Sequence, residues 1–569
     1  MRILRQSLWA IALAGTLAAQ VYPNRWVYVS RALQRDSDVE EIRSIARTAA
    51  AHGLNGILLA AGFDRIDLQN EAYFRRLAEV REIAAGLSLE IIPLFYSAGY
   101  ASGILSHNRN LAEGLPVRDA LFIVDGDEAR LVPDPPVAFA NGGFEDYAGN
   151  SAPGYRFHDG PGITTFIDRE VVHTGTASMR FENFTANPNG HGRVMQEIPV
   201  RPYRCYRVTA WVKAEQLQPA SGFRIQVLSP EGRALAPWNP RLPSTTDWRK
   251  LEFGFNSGRY STVRIYAGIW GGKAGKFWLD DLSIEEVGFV NVLRRDGTPI
   301  RVVAEGSGTL YEEGRDFAAI SDPQLNYRFD HDAPPIRLLP GTRIRDGERL
   351  RVSYYHGMSI NDGQVTACMS EPEVLDILRN VARIIHQVLA PRKWMLSMDE
   401  VRAGGTCEAC KRSQRTMGQI LGNFITQGFL MIRDLNPEAE VWTWSDMLDP
   451  NHNAHGDYYL VDGAFTGSWE NIPSDLGIVC WYYPKRNESL AFFSGLGFRT
   501  LAGAYYDGDT LENPLGWLEA LAKTPRATGI MYTTWQNKYD LLADFGDLVS
   551  RRAIIQRMGP PPKPSAKFR

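Results

Sequence analysis

The sequence is poor in cysteine, with five (Cys205, Cys368, Cys407, Cys410 and Cys480) in 569 residues. That excludes a disulfide-built scaffold, so the fold must rest on hydrophobic cores. It has no basic tract and a formal net charge of −3, which argues against nucleic acid as a partner. It also lacks any run of the ~20 apolar residues that a membrane-spanning helix needs. The short apolar stretch 8–17 follows Arg2 and Arg5 and ends in Thr16-Leu17-Ala18-Ala19, a small-residue cleavage site. That pattern reads as a signal peptide over 1–19, so an exported protein, periplasmic or extracellular, with no membrane span after cleavage is expected.

What is present is aromatic. The chain holds 14 Trp, 23 Tyr and 25 Phe beside 33 Pro and 52 Gly. Such a mixture suits a secreted carbohydrate-active protein, where rings stack on sugar faces and many turns are needed. The length implies two or three domains.

Strand and helix patterns alternate from residue 24. Strands are expected near 26–30, 56–60 and 89–96, with helices over 39–52 and 71–85 between them. Such alternation indicates a parallel sheet. It stops at 137. Residues 137–287 carry short alternating runs and frequent turns, the pattern of a jelly-roll β-sandwich. Residues 288–357 read as a small accessory β unit. Alternation resumes with a helix over 371–389 and strands near 394–398, 441–445, 477–483, 500–506 and 529–535, with helical segments between. Three strands before the interruption and five after it make the eight of a (β/α)8 TIM barrel, an α/β fold. The expected organisation is therefore a barrel in two parts, 20–136 and 358–558, with the β modules inserted after strand 3. The Pro- and Lys-rich segment 559–569 reads as a disordered tail.

In such barrels the C-terminal strand ends carry the chemistry. Strand 4 ends in Asp399-Glu400, two adjacent carboxylates that disfavour double ionisation, so that one can stay protonated while the other is charged. Strand 1 ends in Ser30-Arg31, strand 5 in Trp442-Thr443-Trp444-Ser445-Asp446 and strand 6 in Trp481-Tyr482-Tyr483. Strand 7 ends in Tyr505-Tyr506-Asp507 and strand 8 in Trp535-Gln536-Asn537. An aromatic pocket with one arginine and several carboxylates fits a pyranose ring, and an oligosaccharide or polysaccharide is the expected substrate.

These strand ends resemble those of the family 20 glycoside hydrolases, the β-N-acetylhexosaminidases. The likeness rests on Val29-Ser30-Arg31, on Asp399-Glu400-Val401, on Trp442 or Trp444, on Tyr505-Tyr506-Asp507 and on Trp535. Two departures stand out: Ser397-Met398 replaces a usual Gly-Gly, and Gln536-Asn537 stands where a sugar-binding Glu is common. The resemblance implies that Glu400 is the general acid/base and that Asp399 orients a substrate acetamido group, which is itself the nucleophile. It implies further that Arg31, Trp444, Asp446, Tyr506, Asp507 and Trp535 bind the sugar, and that catalysis needs no cofactor. Two alternatives remain open at this stage. In one, a retaining glycosidase uses Glu400 as acid and Asp507 as a separate nucleophile; in the other, a non-catalytic barrel only binds glycans.

The inserted sandwich resembles carbohydrate-binding modules of the family 4/9 type in its opening Asn141-Gly142-Gly143-Phe144-Glu145 and closing Trp278-Leu279-Asp280-Asp281. That resemblance implies a structural calcium held by Glu145 and Asp281. Trp211, Trp238, Trp248 and Trp270 are candidates for a sugar platform, although alternation places Trp211 and Trp278 toward the core. Cys407-Glu408-Ala409-Cys410 is half a zinc site with no second half nearby, so a local disulfide is the preferred expectation there.

Overall fold

The computed structural model describes residues 21–361 and 363–550; the expected signal peptide and tail lie outside the described residues. Eight parallel strands close into a barrel in the order Asn24–Ser30, Gly56–Ala60, Glu90–Phe95, Lys393–Leu396, Glu440–Trp444, Gly477–Cys480, Arg499–Tyr505 and Ala527–Thr533. The eighth pairs with the first. The strands are nearly continuous apolar runs because both faces are covered.

The barrel interior is packed solid. In one layer of the interior each strand contributes one residue, Trp26, Leu58, Ile92, Met395, Trp442, Val479, Leu501 and Met531, all in one cluster. Trp26 and Trp442 meet edge to face at 5.4 Å, a favoured arrangement of two ring quadrupoles. Since strand side chains alternate, the residue two positions further on faces the same way. Those residues include Tyr28, Ala60, Leu94, Ser397, Trp444 and Trp481, and all six line a cavity at the barrel mouth. Register alone therefore puts an aromatic floor above the core.

Helices flank the barrel. Pro372–Leu389 starts with proline in its first turn and buries Val374, Leu378, Val381, Ala382 and Ile385, an i, i+3/i+4 stripe. The unit after strand 5 departs from the expected alternation. Between Trp444 and Gly477 the described residues form no α-helix, only the 3₁₀ turns Asp446–Leu448 and Ser468–Asn471 and the short strand Leu460–Val461, which pairs with Ala403–Gly404. Pro450, Gly456, Gly463, Gly467 and Pro473 interrupt any helical period there.

The interruption after strand 3 contains two five-stranded sheets and a six-stranded one. The five-stranded sheets are antiparallel and share one core, with Val208, Val212 and Leu279 of one and Ile225, Val227 and Ile265 of the other. The six-stranded sheet corrects the expected boundary at 136. Leu115–Asp125 and Glu128–Leu131, assigned above to the barrel, pair instead with Arg349–His356 and Ile336–Arg337. Its Phe122, Val352 and Tyr354 join the sandwich core, so the accessory unit and the sandwich are one hydrophobic body. No helix among the described residues is long and apolar enough to cross a membrane.

Candidate active site

The cavity at the barrel mouth has a volume of about 640 Å³. Asp399 stands four residues beyond the interior Met395, so it points into the barrel mouth by register. Its neighbour Glu400 would face the other way in a regular strand. Instead Glu400 has φ +49°, and this left-handed turn breaks the alternation so that both carboxylates line the cavity. Gly99 admits the strand-3 loop beside them, because a Cβ there would overlap the carbonyl oxygen of Asp399.

Strained backbone gathers at this rim. Tyr96, Glu400, Tyr505, Tyr506, Asp507 and Asn537 all have positive φ, each at a cost of about 1–2 kcal/mol for a residue with a Cβ. Exposed aromatic surface gathers there too. Tyr100, Tyr506 and Trp535 are 44%, 46% and 42% exposed, and all three line this one cavity. Trp535 is the hub, with ring centroids 5.9 Å from Trp444, 6.4 Å from Trp481, 6.2 Å from Tyr506 and 5.3 Å from Tyr28. Trp481 and Tyr506 lie parallel at 6.1 Å.

The two carboxylates differ electrostatically. Burial, and then the neighbouring Glu400 charge, push the Asp399 carboxyl up to about 6; Ser397 Oγ donates to it at 2.9 Å. Glu400 is paired with Arg402, whose Nη2 lies 2.8 Å from Oε2, and with the Tyr100 hydroxyl, which donates to the same oxygen. Arg402 is fixed in turn by Gln364 and by the Tyr459 ring, 5.0 Å away. Beneath the pair, Asp446 is fully buried, and burial with the Asp399 charge pushes it up to about 8. It accepts from the Glu400 backbone N–H at 2.9 Å, from Asn453 at 3.2 Å and from Trp481 Nε1 at 3.3 Å. Asp446 thus positions the pair without lining the cavity.

Of the expected sugar-binding residues, Trp444, Tyr506 and Trp535 line the cavity with Asp399 and Glu400. Three do not. Asp446 lies below. Arg31 turns aside to Glu41 and Asn537, because in strand register it alternates with Ser30, which does line the cavity. Asp507 is consumed by the strand-8 loop, accepting from Thr534 Oγ1 and from the Trp535 N–H at 2.9 Å. Trp442 is interior core. The sequence reading missed Arg65, Tyr100 and Arg402. Arg65 lines the cavity from a 3₁₀ turn just past strand 2, and Tyr100 sits just past strand 3; scanning those two strand ends like the other six would have found both.

In the sandwich, the expected calcium ligands Glu145 and Asp281 both face the loop 173–177. Glu145 accepts from the Thr176 and Ala177 N–H groups, and Asp281 from His173 and Thr174. Trp278 is buried as expected, but Trp211 is half-buried on the outer face, stacked on His173 at 3.8 Å with Trp248 beside it. Trp238 stacks instead on Phe253, and Trp270 lies under Arg193. None of the five cysteines is joined in a disulfide, so the bridge expected between Cys407 and Cys410 is not formed.

No family model matches this chain, and no curated protein does. Among solved structures it is similar to the chitobiase of Flavobacterium johnsoniae, at 7% identity and a TM-score of 0.34, covering 93% of this chain and 51% of the other. It is similar also to a rhamnosidase from Novosphingobium sp. PP1Y, at 11% identity and a TM-score of 0.33, covering 92% of this chain and 56% of the other. A CBM4 structure matches 26% of this chain over 99% of its own, at 15% identity and a TM-score of 0.19. The chain thus spans about half the length of the two proteins that match along most of it, and none of the three names a family for it.

Proposed function

We propose that the protein is an exported glycoside hydrolase that cleaves β-linked N-acetylhexosaminides with retention, using the substrate's own acetamido group as nucleophile. One observation carries this reading. Among the described residues, the carboxylates lining the aromatic cavity are Asp399, Glu400 and Asp64, and Asp64 is locked by the N–H groups of Tyr96 and Ser97. An adjacent pair with no free carboxylate opposite it leaves the nucleophile to the substrate. Glu400 gives a proton to the leaving oxygen and later takes one from water. Asp399 accepts from the acetamido N–H and turns its carbonyl oxygen onto the anomeric carbon. Trp444, Trp481, Tyr506 and Trp535 take the C–H faces of the ring, and Arg65 and Ser30 are the polar groups placed for its hydroxyls.

Arg402 favours a second assignment. Its guanidinium lies 2.8 Å from Glu400 while burial raises the pKa of Asp399, so in this assignment Asp399 would bring the proton and Glu400 the negative charge. In the first assignment the bound sugar must displace Arg402 or Tyr100 from Glu400 before the proton arrives.

The test is release of aryl N-acetylglucosaminide or galactosaminide, inhibited by the matching thiazoline, a mimic of the oxazoline intermediate. Turnover that is blocked by thiazoline and abolished in Glu400→Gln supports the first assignment. Turnover indifferent to thiazoline, with Glu400→Ala rescued by azide, supports the second. A wild-type protein inactive on a broad aryl-glycoside panel yet binding glycans would overturn both.

A further inference from the structure

Away from the cavity, the fold brings together three of the five cysteines and one buried carboxylate. Cys368, Cys407, Cys410 and Glu113 each offer one ligand atom, those atoms lie within 4.8 Å of one another, and all four residues are buried. The Sγ of Cys368 is 3.4 Å from that of Cys407 and 3.7 Å from that of Cys410. Glu113 Oε2 is 3.6 Å from Cys410 Sγ. A tetrahedral zinc with Zn–S near 2.3 Å and Zn–O near 2.0 Å sets S···S edges of about 3.8 Å and S···O edges of about 3.5 Å. A disulfide needs sulfurs about 2.05 Å apart, and would leave the third thiol buried beside the Glu113 carboxylate.

We propose that these four residues form a structural zinc site. The carboxylate is prepared for it. Glu113 Oε1 accepts from the backbone N–H groups of Thr406 at 2.9 Å and Cys407 at 3.1 Å, which fixes the group and leaves Oε2 toward the sulfurs. Such outer hydrogen bonds orient metal-binding carboxylates. Three thiolates and a carboxylate around Zn²⁺ carry a surplus negative charge, and Arg295 is placed to offset part of it, with Nη2 3.6 Å from Cys407 Sγ. Thiolate ligands select zinc over hard cations, and the single oxygen ligand suits zinc better than Cu(I).

The site's position gives it a purpose. Glu113 is where the chain leaves the barrel for the inserted sheets, and Cys368 is where it returns, just before the helix Pro372–Leu389. Cys407 and Cys410 lie on the loop that carries Asp399, Glu400 and Arg402. One ion therefore ties both ends of the insertion to the catalytic loop, three segments held by four ligands in a single closed coordination sphere.

The test uses the full chain, purified without chelator, with metal content measured by mass spectrometry and the metal replaced by Co²⁺. The expected result is one zinc per chain and a cobalt spectrum with tetrahedral d–d bands and thiolate charge transfer. Both should survive in Cys480→Ser and fall at least tenfold in Cys368→Ser, Cys410→Ser and Glu113→Gln. Should those variants fail to fold, the wild-type stoichiometry and cobalt spectrum decide. A chain two mass units lighter than its sequence, with three titratable thiols after unfolding, would overturn the proposal in favour of a disulfide. Five titratable thiols and no bound metal from zinc-supplemented medium would overturn it as well.

Discussion

The molecule contains two adjacent acidic pairs that look alike one residue at a time. Asp399-Glu400 stands at the barrel mouth, and Asp280-Asp281 lies within the sandwich strand Ala274–Glu286. In each pair the first carboxyl is pushed up to about 6 mainly by burial, and the second residue has a left-handed backbone, φ +49° for Glu400 and φ +47° for Asp281. What differs is the surroundings. The sandwich pair is saturated by a protein loop: Asp280 accepts from the His173 N–H at 2.8 Å, and Asp281 from the His173 ring at 2.6 Å and the Thr174 hydroxyl at 2.8 Å. The barrel pair opens onto a cavity walled by exposed rings. A perturbed pKa and a strained residue are thus not enough to mark a site; an open, aromatic approach to the carboxylates is what separates the two.

The largest expected effect breaks that comparison most sharply. Glu400→Gln should lower kcat/KM on an aryl N-acetylhexosaminide by about 10²–10⁴-fold, the usual worth of a general acid/base, with Tm little changed. Asp281→Asn should leave the same rate within twofold. Equal losses in both would mean that the barrel pair acts through the fold rather than the chemistry. Next come the rings. Trp535→Ala should raise KM roughly tenfold by removing a stacking face worth about 1–2 kcal/mol. Trp211→Ala, on the outer face of the sandwich, should leave hydrolysis of a small aryl glycoside alone and weaken only binding to polymeric glycan.

Much of this was legible in the sequence, for reasons that can be named. The barrel strands are buried on both faces and bounded by turns, so eight apolar runs could be counted across a long interruption, and Asp399 lands four residues past an interior methionine by simple alternation. Side-chain direction beyond the strand end was not legible. Arg31 and Asp507 have the right types at the right ends, yet one turns to Glu41 and the other is taken up by the strand-8 loop, because loop hydrogen bonds decide those orientations. The sheet formed by 115–131 with 349–356 was hidden because its strands are separated by more than 200 residues, and local alternation names a strand without naming its partner. Glu113 and Cys368 were hidden from the Cys407-x-x-Cys410 pair for the same reason: the fold, not the spacing, brings them together.

A smaller effect concerns stability. Asp281→Asn removes an acceptor for the His173 ring and the Thr174 hydroxyl, so it should cost about 1–3 kcal/mol, read as a lower denaturation midpoint at unchanged slope. Asp399→Asn should cost less, since its side-chain donor Ser397 Oγ can turn to the cavity instead. A larger loss in Asp399→Asn than in Asp281→Asn would reverse the distinction between an open pair and a saturated one.

The subtlest prediction concerns pH, where the two pairs should agree in stability and part in rate. Asp399 and Asp280 both have folded pKa values of about 6 against an unfolded value of about 3.9. The folded state therefore holds these protons more tightly. Their favourable contribution is complete below about pH 4 and is lost as pH rises through about 6, with a slope of at most about 1.4 kcal/mol per pH unit for each group. Asp399→Asn and Asp280→Asn should each flatten that fall by a similar amount. Only Asp399 must ionise to hold an acetamido N–H, so wild-type kcat/KM should rise through an acid limb near pH 6 that Asp280→Asn preserves. The residual activity of Asp399→Asn should lack the limb. A limb that persists in Asp399→Asn would assign it to another group and remove Asp399 from the role of the ionised partner.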